Sequence, residues 1–157
     1  MEQLELPSDE VWSERRFWFE DLEATAGQSG APAPSEQACA LMIDLQSSFC
    51  AGAFSAVVIL AAAIIEAQAE RAQIDDRQQD PGYRKARRWL QDLRNKLVHE
   101  DRESPAITVE DHWLRRGEWE TAARRAIVLA FAALYPDADL SGAHLPGAAP
   151  HSQEDPA

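Results

Sequence analysis

The run Leu93-Arg94-Asn95-Lys96-Leu97-Val98-His99 gathers three side chains able to do chemistry together. An imidazole exchanges a proton near pH 7, a guanidinium stays cationic and forks onto phosphoryl oxygens, and an amide positions either group. On a helix turning about 100° per residue, an apolar stripe centred between Leu93 and Leu97 leaves Arg94 on its flank. Asn95 and His99 then stand one turn apart on the outward face, and all three side chains reach one external point. Arg-x4-His spacing also arises by chance on helices, and a histidine near a helix C-terminus is favoured by the helix dipole alone. The motif therefore gains meaning only from the elements that carry it.

That carrier is a helix opened by Asp80-Pro81, since proline is tolerated at the first helical position, and running to about Glu100. Its core stripe is Trp89, Leu90, Leu93 and Leu97. Upstream, Pro7 and Ser8 start a first helix, with Val11, Trp12, Trp18, Phe19 and Leu22 on a broad apolar face, and Gly27 ends it. The stretch Gly27 to Pro34 is a loop, and Ser35 caps the next helix. Leu41, Met42, Leu45 and Phe49 recur at helical spacing, and the apolar run beyond them reaches about Arg71 as a central hairpin or one long helix with a bend near Gly52. Ser104-Pro105 breaks the chain. Thr108 with Asp111 caps a last helical region, interrupted at Gly117 and ending at Tyr135-Pro136. No strand alternation and no internal repeat occurs. The expected fold is all-α: a compact bundle of four to five helices, with an N-terminal helix and loop over 1–34, a bundle over 35–136 and a disordered acidic tail over 137–157.

A chain of 157 residues, 45% apolar, is long enough to bury a core unaided. Cys39 and Cys50, with no Cys or His at ligand spacing, read as reduced core thiols, and the acidic start does not resemble a secretory signal, so the expected location is cytoplasmic. The apolar run from Phe49 to Ile65 is short for a membrane span and rich in Ala and Gly, which favours a buried helix and no membrane partner. The net charge of −12 argues against general nucleic-acid binding. Its distribution does not: from Tyr83 to Arg102 stand seven basic residues, Arg84, Lys85, Arg87, Arg88, Arg94, Lys96 and Arg102, against the three acids Asp92, Glu100 and Asp101. That segment is either a solvated helix face or an anion-binding patch. Trp89, Trp113 and Trp119 are core residues or stacking platforms for bases; His112 and His144 lack partners at useful spacing, and His151 lies in the tail.

The stretch LQDLRNKLVHED resembles the signature of the HEPN family (higher eukaryotes and prokaryotes nucleotide-binding domains): Arg, a polar residue, three more residues, then His, close to the end of a late helix. The segment CAGAFSAVVILAAAIIEAQAE resembles the family's other conserved region, a small-residue apolar helix ending in an acid, here Glu66. The resemblance covers roughly residues 35 to 135.

It implies an all-helical homodimer that cleaves RNA without metal or cofactor, the motifs of two subunits lining one cleft. Arg94, Asn95 and His99 would be catalytic, Glu66 would orient Arg94, and Arg84, Lys85, Arg87, Arg88 and Lys96 would bind RNA. A ribose 2′-OH would attack the adjacent phosphorus, leaving a 2′,3′-cyclic phosphate and a 5′-hydroxyl. A protein partner, such as an antitoxin, would be a further implication; some toxin members carry a modified Tyr two residues after the His, where this chain has Asp101, which argues against that version. The alternative is a non-catalytic module of the same fold that dimerises or holds a partner.

Overall fold

A computed structural model describes residues 6–69, 80–140 and 142. Those residues form five helices of sixteen to nineteen residues and one short turn, and no strand occurs among them: α1 (Asp9–Gly27), α2 (Glu36–Ala51), α3 (Phe54–Ala69), α4 (Pro81–Val98), α5 (Asp111–Leu114) and α6 (Arg116–Leu134). The expected all-α bundle is the observed class.

The starts lie where the capping residues put them. Ser8 and Ser35 have extended backbones, and their hydroxyls accept from the N–H groups of Val11 and Ala38. The apolar run divides at Gly52, which takes the left-handed conformation at φ 78°. There Gly52 N–H reaches Phe49 O and Ala53 N–H reaches Ser48 O, a Schellman closure that satisfies those two carbonyls and turns the chain back as α3. The central segment is therefore a hairpin, not one bent helix.

Helix α3 is apolar on nearly every side because it is covered on nearly every side, by α2, α4 and α6. Val57, Val58, Ala61 and Ile64 are fully enclosed with Leu45, Phe49, Leu90, Ile127 and Phe131. Each large side chain so enclosed contributes about 1.5–3 kcal/mol. Among the described residues no helix is long and apolar enough to cross a membrane.

Helix α1 belongs to this same core. Phe19, Leu22 and Ala26 are buried, and Phe19 meets Phe131 edge-on with ring centroids 5.2 Å apart. Val11 and Trp12, expected on that face, are instead about two-fifths exposed, because the α1 contact with α6 at this end is made by charges. Three further expectations are corrected. Cys39 is exposed, and only Cys50 is a buried thiol, its pKa raised by burial. The last helical region breaks at Arg115 (φ −122°, ψ 22°), two residues before Gly117, which sits inside α6. The stretch assigned to the tail begins folded, with Ala138 buried and Leu140 packed on the core, whereas the rest of that expectation, 143–157, lies outside the described residues.

Candidate functional site

Helix α4 is the most strongly two-sided element. Asp80 caps it, its carboxylate accepting from Gly82 N–H at 3.3 Å and Tyr83 N–H at 2.8 Å, with Pro81 in the first turn. Leu90 is buried, and Trp89, Leu93 and Leu97 pack half-buried against the core, as the stripe requires. The opposite face carries the basic residues: Arg84, Lys85, Arg88 and Lys96 are exposed, Arg87 and Arg94 half-buried.

None of these six cations makes an ion pair with any carboxylate among the described residues. Arg102, Arg116 and Arg125 likewise lack an ion pair among the described residues, so the absence is not peculiar to α4. Arg15, Arg16, Arg115 and Arg124 all hold carboxylates within 4.0 Å. The positive potential along α4 is therefore left for a ligand or solvent.

Two of the three motif side chains meet. Arg94 Nη1 donates to Asn95 Oδ1 at 3.0 Å, and Gln91 Nε2 donates to the same oxygen at 3.4 Å. His99 is the C-cap, with extended backbone (φ −120°, ψ 101°) and its N–H on Asn95 O; its ring is exposed and bonds to neither partner. Glu66, near the end of α3, is exposed and makes no ion pair with Arg94 among the described residues. Asp101 is occupied: its Oδ1 accepts from Glu103 N–H at 3.0 Å and Ser104 N–H at 3.4 Å, closing the turn that follows His99.

The tryptophans separate. Trp119 is buried, Trp113 is exposed beside His112, and Trp89 lies under Arg125 of α6, whose guanidinium carbon is 4.1 Å from the ring centroid. Among the described residues no group of three or more His, Cys, Asp or Glu side chains is placed to hold a metal ion.

A second polar cluster has no local sequence signal. Arg15 of α1 reaches Glu120 of α6 through two nitrogens, at 3.3 and 2.9 Å, and donates to Cys50 O. Arg124 holds both Glu14 and Glu120 at 2.9 Å while lying over Trp18 and Phe49. Arg116 lies over Phe54 and donates to Gly52 O. Arg15 and Arg116 thus place cations on carbonyls at the α2 C-terminus, where the helix dipole is negative. Burial pushes the Glu120 carboxyl up, but hydrogen bonds from Arg15 and Arg124 outweigh it and hold the group below the usual carboxylate range. A carboxylate so held stays ionised, and this cluster fastens α1 to the bundle.

No family model, no curated protein and no solved structure matches the chain.

Proposed function

We propose that the chain is a HEPN-like endoribonuclease that cleaves RNA by 2′-OH transesterification in a homodimer cleft, without a metal. The observation that carries this reading is the C-terminal part of α4: Arg94 and Asn95 hydrogen-bonded, His99 exposed just beyond, and Arg94 without an ion pair among the described residues.

The ribose 2′-oxygen attacks the adjacent phosphorus, and its proton passes to the neutral imidazole of one His99. The P–O5′ bond breaks, and the departing 5′-oxygen takes a proton from the protonated imidazole of the second copy's His99. Negative charge gathering on the non-bridging oxygens is compensated by Arg94, whose fork suits a phosphoryl group. Asn95 holds Arg94 through Oδ1 and keeps its NH2 group as a donor toward substrate. The products are a 2′,3′-cyclic phosphate and a 5′-hydroxyl. Glu100 and Asp101, directly after His99, favour a second reading, a non-catalytic partner-binding module, since two acids oppose a phosphate backbone.

Incubation of the full chain with mixed RNA in EDTA, followed by mapping of product ends, separates the two. Cyclic phosphates paired with 5′-hydroxyls are expected. Intact RNA, or ends bearing 3′-hydroxyls and 5′-phosphates, would overturn the nuclease reading.

A further inference from the structure

The first turn of α3 holds donors without acceptors. Its earliest internal bond runs from Val57 N–H to Ala53 O, so the N–H groups of Phe54, Ser55 and Ala56 have no partner among the described residues. Ala53, at the capping position, has no side chain able to accept them. Phe54 and Ser55 also line a narrow pocket of about 10 Å³, whose wall includes His112 of α5 and Arg116 and Trp119 of α6. That is room for one oxygen-sized atom.

The polar groups around this pocket are short of an acceptor. Trp119 is only 7% exposed, and its indole N–H, which can donate and never accept, is buried without a partner among the described residues. Arg116 is half-buried over the Phe54 ring, 5.1 Å from its centroid, and donates one N–H to Gly52 O at 3.4 Å. It holds no carboxylate, and the half-buried Ser55 hydroxyl makes no hydrogen bond, among the described residues. Asp111 is the one acid in the lining, and it is committed: Oδ2 accepts from Thr108 N–H at 2.7 Å and Oδ1 from Arg115 at 3.5 Å.

We infer that this pocket binds a terminal phosphoryl group, the dianion of a phosphomonoester. A guanidinium, an uncapped helix start and a buried indole N–H select an anion, and the geometry selects how many free oxygens it carries. One oxygen enters the well to take the Trp119 N–H. Two more stay at its mouth, for the Arg116 fork and the first N–H groups of α3, with the Ser55 hydroxyl and His112 as further donors. A phosphate inside a nucleic-acid backbone is a diester with a single charge and two non-bridging oxygens, so it cannot fill all three positions. A monoester can. The site shares no residue with Arg94, Asn95 and His99, lies on α3, α5 and α6, and does not rest on the nuclease reading.

The full chain, labelled with nitrogen-15, is titrated with methyl phosphate and with inorganic phosphate at constant ionic strength. The indole N–H signal of Trp119, identified among five tryptophans by its loss in Trp119→Phe, is the readout. It is expected to move along a saturable curve, with the two ligands binding within about threefold of each other and dimethyl phosphate at least about tenfold more weakly. Arg116→Gln is expected to lose at least about tenfold in affinity for methyl phosphate, Ser55→Ala to lose less, and Arg94→Ala to stay within about twofold of wild type. If Arg116→Gln loses helix content by circular dichroism, Arg116→Lys decides: it keeps the charge without the fork and is expected to bind at least about threefold more weakly. An unmoved Trp119 signal would overturn the inference, as would equal affinity for the diester, an equal response to chloride, or wild-type affinity in the folded Arg116 variant. RNA cleavage by Ser55→Ala is expected to match wild type, so loss of this site and loss of the nuclease reading are separate results.

Discussion

Arg94 and Asn95, neighbours in sequence, are joined side chain to side chain: Nη1 of the arginine donates to Oδ1 of the amide at 3.0 Å. Gln91 reaches the same oxygen from one turn earlier, so the amide fixes where the guanidinium rests on an otherwise solvated face. Asn95→Ala is expected to lower RNA cleavage by on the order of tenfold to a hundredfold through misplacement of Arg94, with the melting temperature unchanged. Asn95→Asp, which keeps the acceptor, is expected to recover part of the rate. Equal rates for wild type and Asn95→Ala would show that the contact positions nothing.

The charge cluster between α1 and α6 sets a stability expectation. Glu120→Ala leaves Arg15 and Arg124 facing each other, with Arg124 enclosed and only Glu14 remaining as a carboxylate partner. Removing one member of such a network costs about 3 kcal/mol, visible as a lower denaturation midpoint in urea. An unmoved midpoint would mean that the cluster does not fasten α1.

The same carboxyl governs an acid-induced loss. Its folded pKa lies below its ordinary value of 4.5, so its contribution is complete above that value and disappears as pH falls through the folded one. Wild type is expected to lose stability over this acidic window more steeply than Glu120→Gln, which has no charge to lose. Parallel stability–pH curves for the two proteins would contradict the assignment.

Gly52 carries the hairpin. Its φ of 78° is disfavoured for other residues, and a side-chain carbon there would run into the Arg116 guanidinium. Gly52→Ala is expected to cost about 1–2 kcal/mol from the backbone alone, plus the displacement of Arg116. In an Arg116→Ala background the second part should vanish, leaving a smaller drop in melting temperature.

Much of this was legible because it is local. Ser8, Ser35 and Asp80 each sit just before an apolar period and cap a helix, Gly52 marks the only left-handed turn inside the apolar run, and Trp89, Leu90, Leu93 and Leu97 define the inner face of α4. The cluster of Arg15, Glu120 and Arg124 was not, because its partners stand more than a hundred residues apart and nothing in either helix marks those charges as buried. Arg125 over Trp89 is hidden because the contact joins two helices that no local pattern pairs. Cys39 misleads because its apolar neighbours on α2 suggest burial, while its own position on the helix faces outward.

The most direct measurement is cleavage of single-stranded RNA in EDTA by wild type and His99→Ala, beside a thermal melt of each. His99 is exposed and its ring makes no hydrogen bond among the described residues, so the variant is expected to melt with wild type and to cleave nothing detectable, while wild type leaves cyclic phosphates. Cleavage by His99→Ala at the wild-type rate would contradict the central claim that this imidazole moves the proton.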